Sequence, residues 1–261
     1  MSIIPLPSKV SYDNKKNFFT DLVIEPLYPG FGTTVGNLLR RILLSSLSGT
    51  AVTRVKIAGA GHEFSNLPHI KEDAVELILN FKKIRVKALQ ELTEPVIVKL
   101  NVSGEKDVTA GDIETSSEVE IVNPELKLAT ITDKAGNFDV ELTIETGRGY
   151  VPVEMQENQS TEVGVIAIDS MYSPIIKVGM DIKNVRVDKM TNYDSLKLSI
   201  ATDGTRSPEE AVHEAIDIIR EQIDTIYSGG QTEEAAAVAE EEPAAEEAAK
   251  EPTEEVAGTE N

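Results

Sequence analysis

The stretch EPLYPGFGTTVGNLLRRILLSSLSG, residues 25–49, carries the strongest structural signal in the chain. Its first half is rich in proline and glycine, which interrupt regular structure and predict a turn. Its second half lacks proline and repeats apolar residues at helical spacing, so a helix is predicted to begin at Thr33 or Thr34. One apolar stripe of this helix consists of Val35, Leu38, Leu39 and Ile42.

A second stripe on the same helix combines positive charge with an apolar side chain. Arg41 and Leu44 are three residues apart and therefore neighbours on the helix surface, and Arg40 is adjacent to Arg41. An exposed arginine pair alone contributes little to stability, but arginine beside an apolar side chain is typical of protein interfaces. The helix therefore offers two faces to two different partners.

Outward from this stretch, the pattern predicts an α+β fold. An amphipathic helix is predicted over residues 73–82, and short β-type runs separated by turn residues follow from residue 95 onward. Ser207, Pro208 and Glu210 form the clearest helix start, because they combine an N-cap, a first-turn proline and a capping box. The helix that they open carries a seam suited to packing on another helix, formed by Val212, Ile216, Ile219 and Ile223.

Composition and charge favour a soluble cytoplasmic protein. The 261 residues contain no cysteine, and no export signal or apolar run of membrane-spanning length is visible. The net charge is -20, and about half of it lies in residues 231–261, which hold eleven glutamates, one lysine and almost no large apolar residue. We expect that segment to be a disordered acidic tail and expect no tight binding of nucleic acid by this chain.

No active site, metal site or cofactor site is recognisable, and two other function classes are kept as alternatives. The glycine-rich turn Gly30–Gly36 could hold a phosphate in a nucleotide-binding enzyme, but its spacing departs from GxGxxG, so close packing is the better interpretation. The three histidines lack the spacing of a metal site. A free-standing DNA-binding regulator is the other alternative, and the acidic composition disfavours it.

Five motifs resemble the bacterial RNA polymerase alpha-subunit family, and they occur in that family's order. The first is the stretch at residues 25–49 quoted above. The others are HEFSNLPHIKEDAVELILNFK (62–82), GRGYVPVE (147–154), DSMYSPIIKV (169–178) and TNYDSLKLSIATDGTRSPEEAVHEA (191–215). The first begins at residue 25 and the last ends at residue 215, so the resemblance is spread along nearly the whole chain before the acidic segment.

The resemblance implies a discontinuous dimerisation domain of helices on a sheet, residues 1–48 and 174–230, with a β-rich domain inserted at 49–173. It implies that the helices near Thr34 and Ser207 pack across a two-fold axis, and that the homodimer scaffolds the assembly of the beta and beta-prime subunits into the core enzyme. Catalysis would belong to those large subunits. The family's usual C-terminal DNA-binding domain is not evident, and the sequence leaves open whether it is naturally missing or cut off.

The resemblance also implies roles for particular residues. Arg41 and Leu44, with Arg40 beside them, match positions that touch the beta subunit. Lys82 and Ile168 match positions that hold the beta-prime subunit. The expected dimer interface consists of Val35, Leu38, Leu39, Ile42, Val212, Ile216, Ile219 and Ile223.

Overall fold

A computed structural model describes residues 4–90, 92–156 and 164–229. The chain divides into two compact units, residues 1–215 and 216–261. The described residues form three α-helices and fifteen β-strands, numbered here in chain order, and all strand pairs are antiparallel. This confirms the predicted α+β class. The acidic tail predicted for residues 231–261 lies outside the described residues.

A four-stranded sheet joins the two ends of the first unit. In spatial order its strands are β1 (Lys9–Lys16), β2 (Phe19–Leu27), β15 (Met190–Thr202) and β14 (Ile175–Val187). Strand β2 pairs with β15, for example Leu22 with Leu198, so residues far apart in sequence lie side by side. Alternate residues of β15 are buried, which places its apolar side chains on one face.

Helix α1 (Phe31–Ser45) packs on strands β14 and β15 of this sheet. Its buried positions, Gly32, Gly36, Leu39 and Leu43, recur every three or four residues and form one face. Gly36 allows the close approach, because a β-carbon at that position would lie 2.8 Å from Cδ1 of Leu196 and 2.6 Å from Sδ of Met180. The opposite face of the helix is therefore left for other contacts.

A second, seven-stranded sheet is formed by the middle of the chain. In spatial order its strands are β7 (Ile113–Glu114), β5 (Val96–Ser103), β10 (Asn137–Arg148), β3 (Ser48–Ile57), β4 (Val86–Ala88) and β8 (Val119–Ile121), with β12 (Val165–Ala167) paired to β3. Two small ladders accompany it, β6 (Lys106–Thr109) with β9 (Lys127–Ile131) and β11 (Tyr150–Val151) with β13 (Ser170–Met171).

Helix α2 (Ala74–Phe81) covers the core of the second sheet, as the sequence predicts. The Asp73 side chain accepts a hydrogen bond from the Glu76 backbone N–H at 2.7 Å and caps the helix. Phe81 is fully buried and stacks on Phe138 of β10, with ring centroids 6.5 Å apart. The C-terminal end of α2 is thereby held against the sheet.

Helix α3 (Pro208–Tyr227) begins as predicted. The Ser207 N–H donates to the Glu210 carboxylate at 3.0 Å, and the Glu210 N–H donates to the Ser207 hydroxyl at 3.2 Å, which is the reciprocal pattern of a capping box. Gly229, with a φ of 72°, follows its last turn. Among the described helices, none is long and apolar enough to cross a bilayer.

Candidate subunit-contact surfaces

The glycine-rich turn before α1 is closed by a carboxylate of the protein itself. One oxygen of Asp194, in β15, accepts hydrogen bonds from the Gly30 N–H at 2.9 Å and the Gly32 N–H at 3.1 Å. A β-carbon at Gly32 would lie 2.9 Å from that side chain. Asp194 therefore occupies the backbone donors that a bound phosphate would need, which argues against the nucleotide-binding alternative.

The same contact explains why α1 begins at Phe31 rather than at the predicted Thr33 or Thr34. The helix receives no cap from its own neighbouring side chains, and Gly30 takes a left-handed conformation with a φ of 87°. The cap comes instead from Asp194, which lies 164 residues away in sequence from Gly30. A local sequence pattern cannot reveal such a distant cap.

Arg40, Arg41 and Leu44 form an exposed surface on α1, called here the α1 stripe. Leu44 is 38% exposed and both arginines are exposed. The ion pairs of the described residues include neither arginine, so both guanidinium groups are available to a partner. The three side chains that the family resemblance implies for the beta contact thus lie on one exposed surface.

The four apolar residues of α1 that are expected at the dimer interface differ in how deeply they are buried. Leu39 is buried against the protomer's own sheet, Val35 and Ile42 are half-buried, and Leu38 is exposed. A buried side chain can support an interface from beneath, but only the other three have surface to offer. The contribution of α1 to the predicted dimer interface therefore consists of Leu38 with the outer edges of Val35 and Ile42.

Helix α3 changes character along its length. Its beginning is anchored, because Val212 is buried and Glu214 forms an ion pair with Arg206 and accepts from the Ser48 hydroxyl at 3.2 Å. Further along, Ile219 is half-buried, Ile216 is exposed, and Ile223 is 56% exposed. Ile226 is 79% exposed. These large apolar side chains form an exposed hydrophobic surface of the kind found at interaction sites.

Lys82 and Ile168, expected at the beta-prime contact, have different environments. Lys82 follows the end of α2, and its ammonium lies 3.1 Å from an oxygen of Asp169 and 5.4 Å from the ring centroid of Tyr150. Ile168 precedes Asp169 directly but belongs to the core, with 2% exposure. Lys82 is thus at the surface, whereas the Ile168 side chain is buried in the core.

Asp169 joins several elements, although its local sequence pattern does not mark it as a functional residue. One carboxylate oxygen accepts a hydrogen bond from the Lys82 ammonium, and the other accepts one from the Val153 N–H at 3.1 Å. These bonds, with a further one from the Tyr150 hydroxyl, lower the pKa of the Asp169 carboxyl. The bond to Asp169 in turn raises the pKa of Tyr150, so its hydroxyl stays protonated.

Comparison with known proteins gives one family and a consistent set of relatives. Residues 55–173 match the family model described as the RNA polymerase Rpb3/RpoA insert domain. The DNA-directed RNA polymerase subunit alpha of Aquifex aeolicus is 46% identical over 220 residues, which cover 84% of this chain and 69% of that protein. The proteins of the same name from Oceanobacillus iheyensis and Moorella thermoacetica are 46% and 43% identical, covering 83% and 82% of this chain and 68% of each relative.

Proposed function

Because the chain belongs to the family of DNA-directed RNA polymerase alpha subunits, we propose that it acts as a homodimeric scaffold in the cytoplasm. In this proposal two copies pair first, and the pair then gathers the beta and beta-prime subunits into the core enzyme. The large subunits supply the chemistry of nucleotide addition, and this chain contributes no catalytic residue. The observation that carries the proposal is the row of exposed isoleucines on α3, which needs a partner.

Self-association accounts for this row better than a small ligand does. Ile216, Ile223 and Ile226 repeat at spacings of seven and three, so they lie along one side of a single helix. Two copies related by a two-fold axis would bury the same side of both helices. We propose that Leu38 and the outer edges of Val35 and Ile42 on α1 complete this interface.

We propose that the dimerisation domain consists of residues 1–48 and 174–230 and that residues 49–173 form the inserted domain. The four-stranded sheet, with strands from both ends of the first unit, supports the first assignment. The family-model match over residues 55–173 supports the second.

We assign the beta contact to the α1 stripe of Arg40, Arg41 and Leu44. Arginine at an interface can form paired hydrogen bonds with a carboxylate, and a neighbouring leucine excludes water from them. In a dimer the stripe is present twice, and one copy meets beta. The other protomer meets beta-prime through its Lys82 surface.

Capture of purified beta by the alpha dimer tests this assignment. Arg41→Ala should leave the dimer intact and weaken beta binding by about tenfold or more, as expected for an interfacial arginine. Lys189→Ala is the matched control, since it removes an exposed positive charge from the turn between β14 and β15. Sedimentation measures the dimer, and titration with labelled beta measures the affinity.

The order of assembly gives a second readout from the same proteins. The dimer should bind beta alone, and beta-prime should join only after beta is in place. If Arg41→Ala captures beta as well as the unmodified chain does, the α1 stripe is not the beta contact. If beta-prime binds the free dimer first, the proposed order is wrong.

A further inference from the structure

The network around Asp169 carries an inference about how the Lys82 surface works. Burial of Ile168 means that its side chain cannot touch a partner unless the domain opens. Its backbone carbonyl is also engaged, because it accepts a hydrogen bond from the Gln156 amide at 2.8 Å. The next residue, Asp169, does reach the surface, where it binds Lys82.

Asp169 fixes the Lys82 side chain in one position. A lysine at a surface normally samples many rotamers, and holding it costs conformational entropy. Here the ammonium is tied to Asp169 and lies over the Tyr150 ring within the range of a cation–π contact. The Val153 N–H, donating to the other carboxylate oxygen, holds Asp169 itself. The arrangement is therefore formed before any partner arrives.

We infer that Asp169 is a positioning residue for subunit binding, and that it makes the Lys82 ammonium and the Tyr150 ring into one recognition surface. This inference rests on the proposed function, since the partner is the beta-prime subunit. Ile168 then contributes indirectly, by packing beneath the segment that presents Asp169.

The surface has a definite chemical preference. A lysine ammonium has three N–H donors, and the bond to Asp169 uses one, which leaves two for a partner. Tyr150 is 52% exposed, and it pairs across the β11–β13 ladder with Met171, whose side chain is also exposed. The surface therefore fits a segment of beta-prime that places an acceptor oxygen at Lys82 and an apolar side chain beside it on Tyr150 and Met171.

A double-mutant cycle in the assembling complex tests the inference. The alpha dimer bound to beta is titrated with labelled beta-prime, using Lys82→Ala, Asp169→Asn and the double variant. Asparagine keeps an oxygen for the Val153 N–H and removes the charge that holds Lys82, so the local backbone should stay in place. Asp107→Asn is the matched control, because Asp107 also pairs with a lysine, Lys127, at 2.6 Å.

Lys82→Ala and Asp169→Asn should each weaken beta-prime binding by about tenfold, and the double variant should be no weaker than Lys82→Ala alone. Asp169→Glu, which keeps a carboxylate, should restore part of the affinity. Asp107→Asn should change nothing, and the dimer should remain intact in every variant by sedimentation.

The possible results separate the inference from the proposed function. If Lys82→Ala weakens binding but Asp169→Asn does not, the positioning role is overturned and the Lys82 contact stands. If the two losses add in the double variant, Asp169 touches beta-prime directly and does not act through Lys82. If Lys82→Ala has no effect, the contact and the inference both fail.

Discussion

At the scale of single residues, two carboxylates connect parts of the chain that are distant in sequence. Asp194 closes the turn before α1, and Asp169 holds Lys82 beside Tyr150. Each accepts hydrogen bonds from at least two groups, which is how a partly or fully buried carboxylate offsets its loss of hydration. Their roles follow from geometry that neither local sequence displays.

Removing the Asp194 side chain should destabilise the protein through α1. Asp194→Ala leaves the Gly30 and Gly32 N–H groups without their acceptor, and Gly32 is buried, so we expect a loss of about 1–3 kcal/mol in the free energy of unfolding. Asp194→Asn keeps an acceptor oxygen and should lose less. Urea unfolding at one fixed protein concentration measures both losses, since the stability of a dimer, which we propose that this chain forms, depends on concentration.

Asp181→Ala is the control for that experiment, because Asp181 is an exposed aspartate on the neighbouring strand β14. It should shift the unfolding midpoint little. Equal losses for Asp194→Ala and Asp181→Ala would contradict the capping role.

At the scale of elements, the helices follow from local signals and most of the remaining contacts do not. The apolar spacing of 73–82 predicts α2, and Ser207 to Glu210 predicts the start of α3, because each signal lies within a few residues. The sequence does not predict strand β1, since its polar residues KVSYDNKK lack the apolar alternation of a buried strand. It lies at the edge of its sheet, where polar side chains are tolerated.

The candidate sites also differ in whether their residues are close together in sequence. The α1 stripe could be predicted because Arg40, Arg41 and Leu44 share one helix surface. The Lys82 network could not, because Asp169 lies 87 residues from Lys82, and the fold alone brings them together. The burial of Ile168 likewise depends on packing around β3 and β12 that a single segment does not reveal.

The exposed part of α3 gives a prediction at this scale. Ile223→Asp should abolish dimer formation, because the aspartate is harmless in water but becomes an unpaired buried charge in the proposed interface. Ile219→Asp should act in the same direction. Sedimentation at several protein concentrations distinguishes monomer, dimer and aggregate.

Thr225→Asp is the matched control for the helix. Thr225 is exposed and lies two residues after Ile223, which places it on nearly the opposite side of α3. It introduces the same charge into the same turn, so loss of helix stability would affect both variants. An intact dimer with Ile223→Asp would remove α3 from the interface.

At the scale of the whole molecule, the chain carries a net charge of -20 and uses many carboxylates in ion pairs. Asp21 is the most buried example. Burial alone would raise the pKa of Asp21, but hydrogen bonds from Lys197, Ser199 and Asn14 together lower it. The bond from Lys9 likewise lowers the pKa of Glu25.

A lowered pKa in the folded state stabilises the protein above the unfolded-state pKa, which is about 3.9 for aspartate. The contribution of Asp21 should therefore be complete at neutral pH, and it should disappear as the pH falls below about 4 through the lower folded-state pKa. Asp21→Asn should lose stability at pH 7 and differ less from the unmodified protein at pH 3. Urea midpoints at the two pH values measure the difference.

Asp188→Asn, in the exposed turn before β15, is the comparison, and its effect should be small at both pH values. If Asp21→Asn is as destabilising at pH 3 as at pH 7, the contribution of Asp21 does not come from its ionised form.

The pairing of β2 with β15 has a consequence for synthesis of the chain. A ribosome releases Phe19–Leu27 early, but the strand that lies beside it ends at Thr202. Strands β3 to β13 emerge in between and can complete their own sheet first. The cap of α1 must also wait for Asp194, so the middle sheet and the Lys82 network within it can be complete before the α1 stripe proposed for the beta contact is held in place.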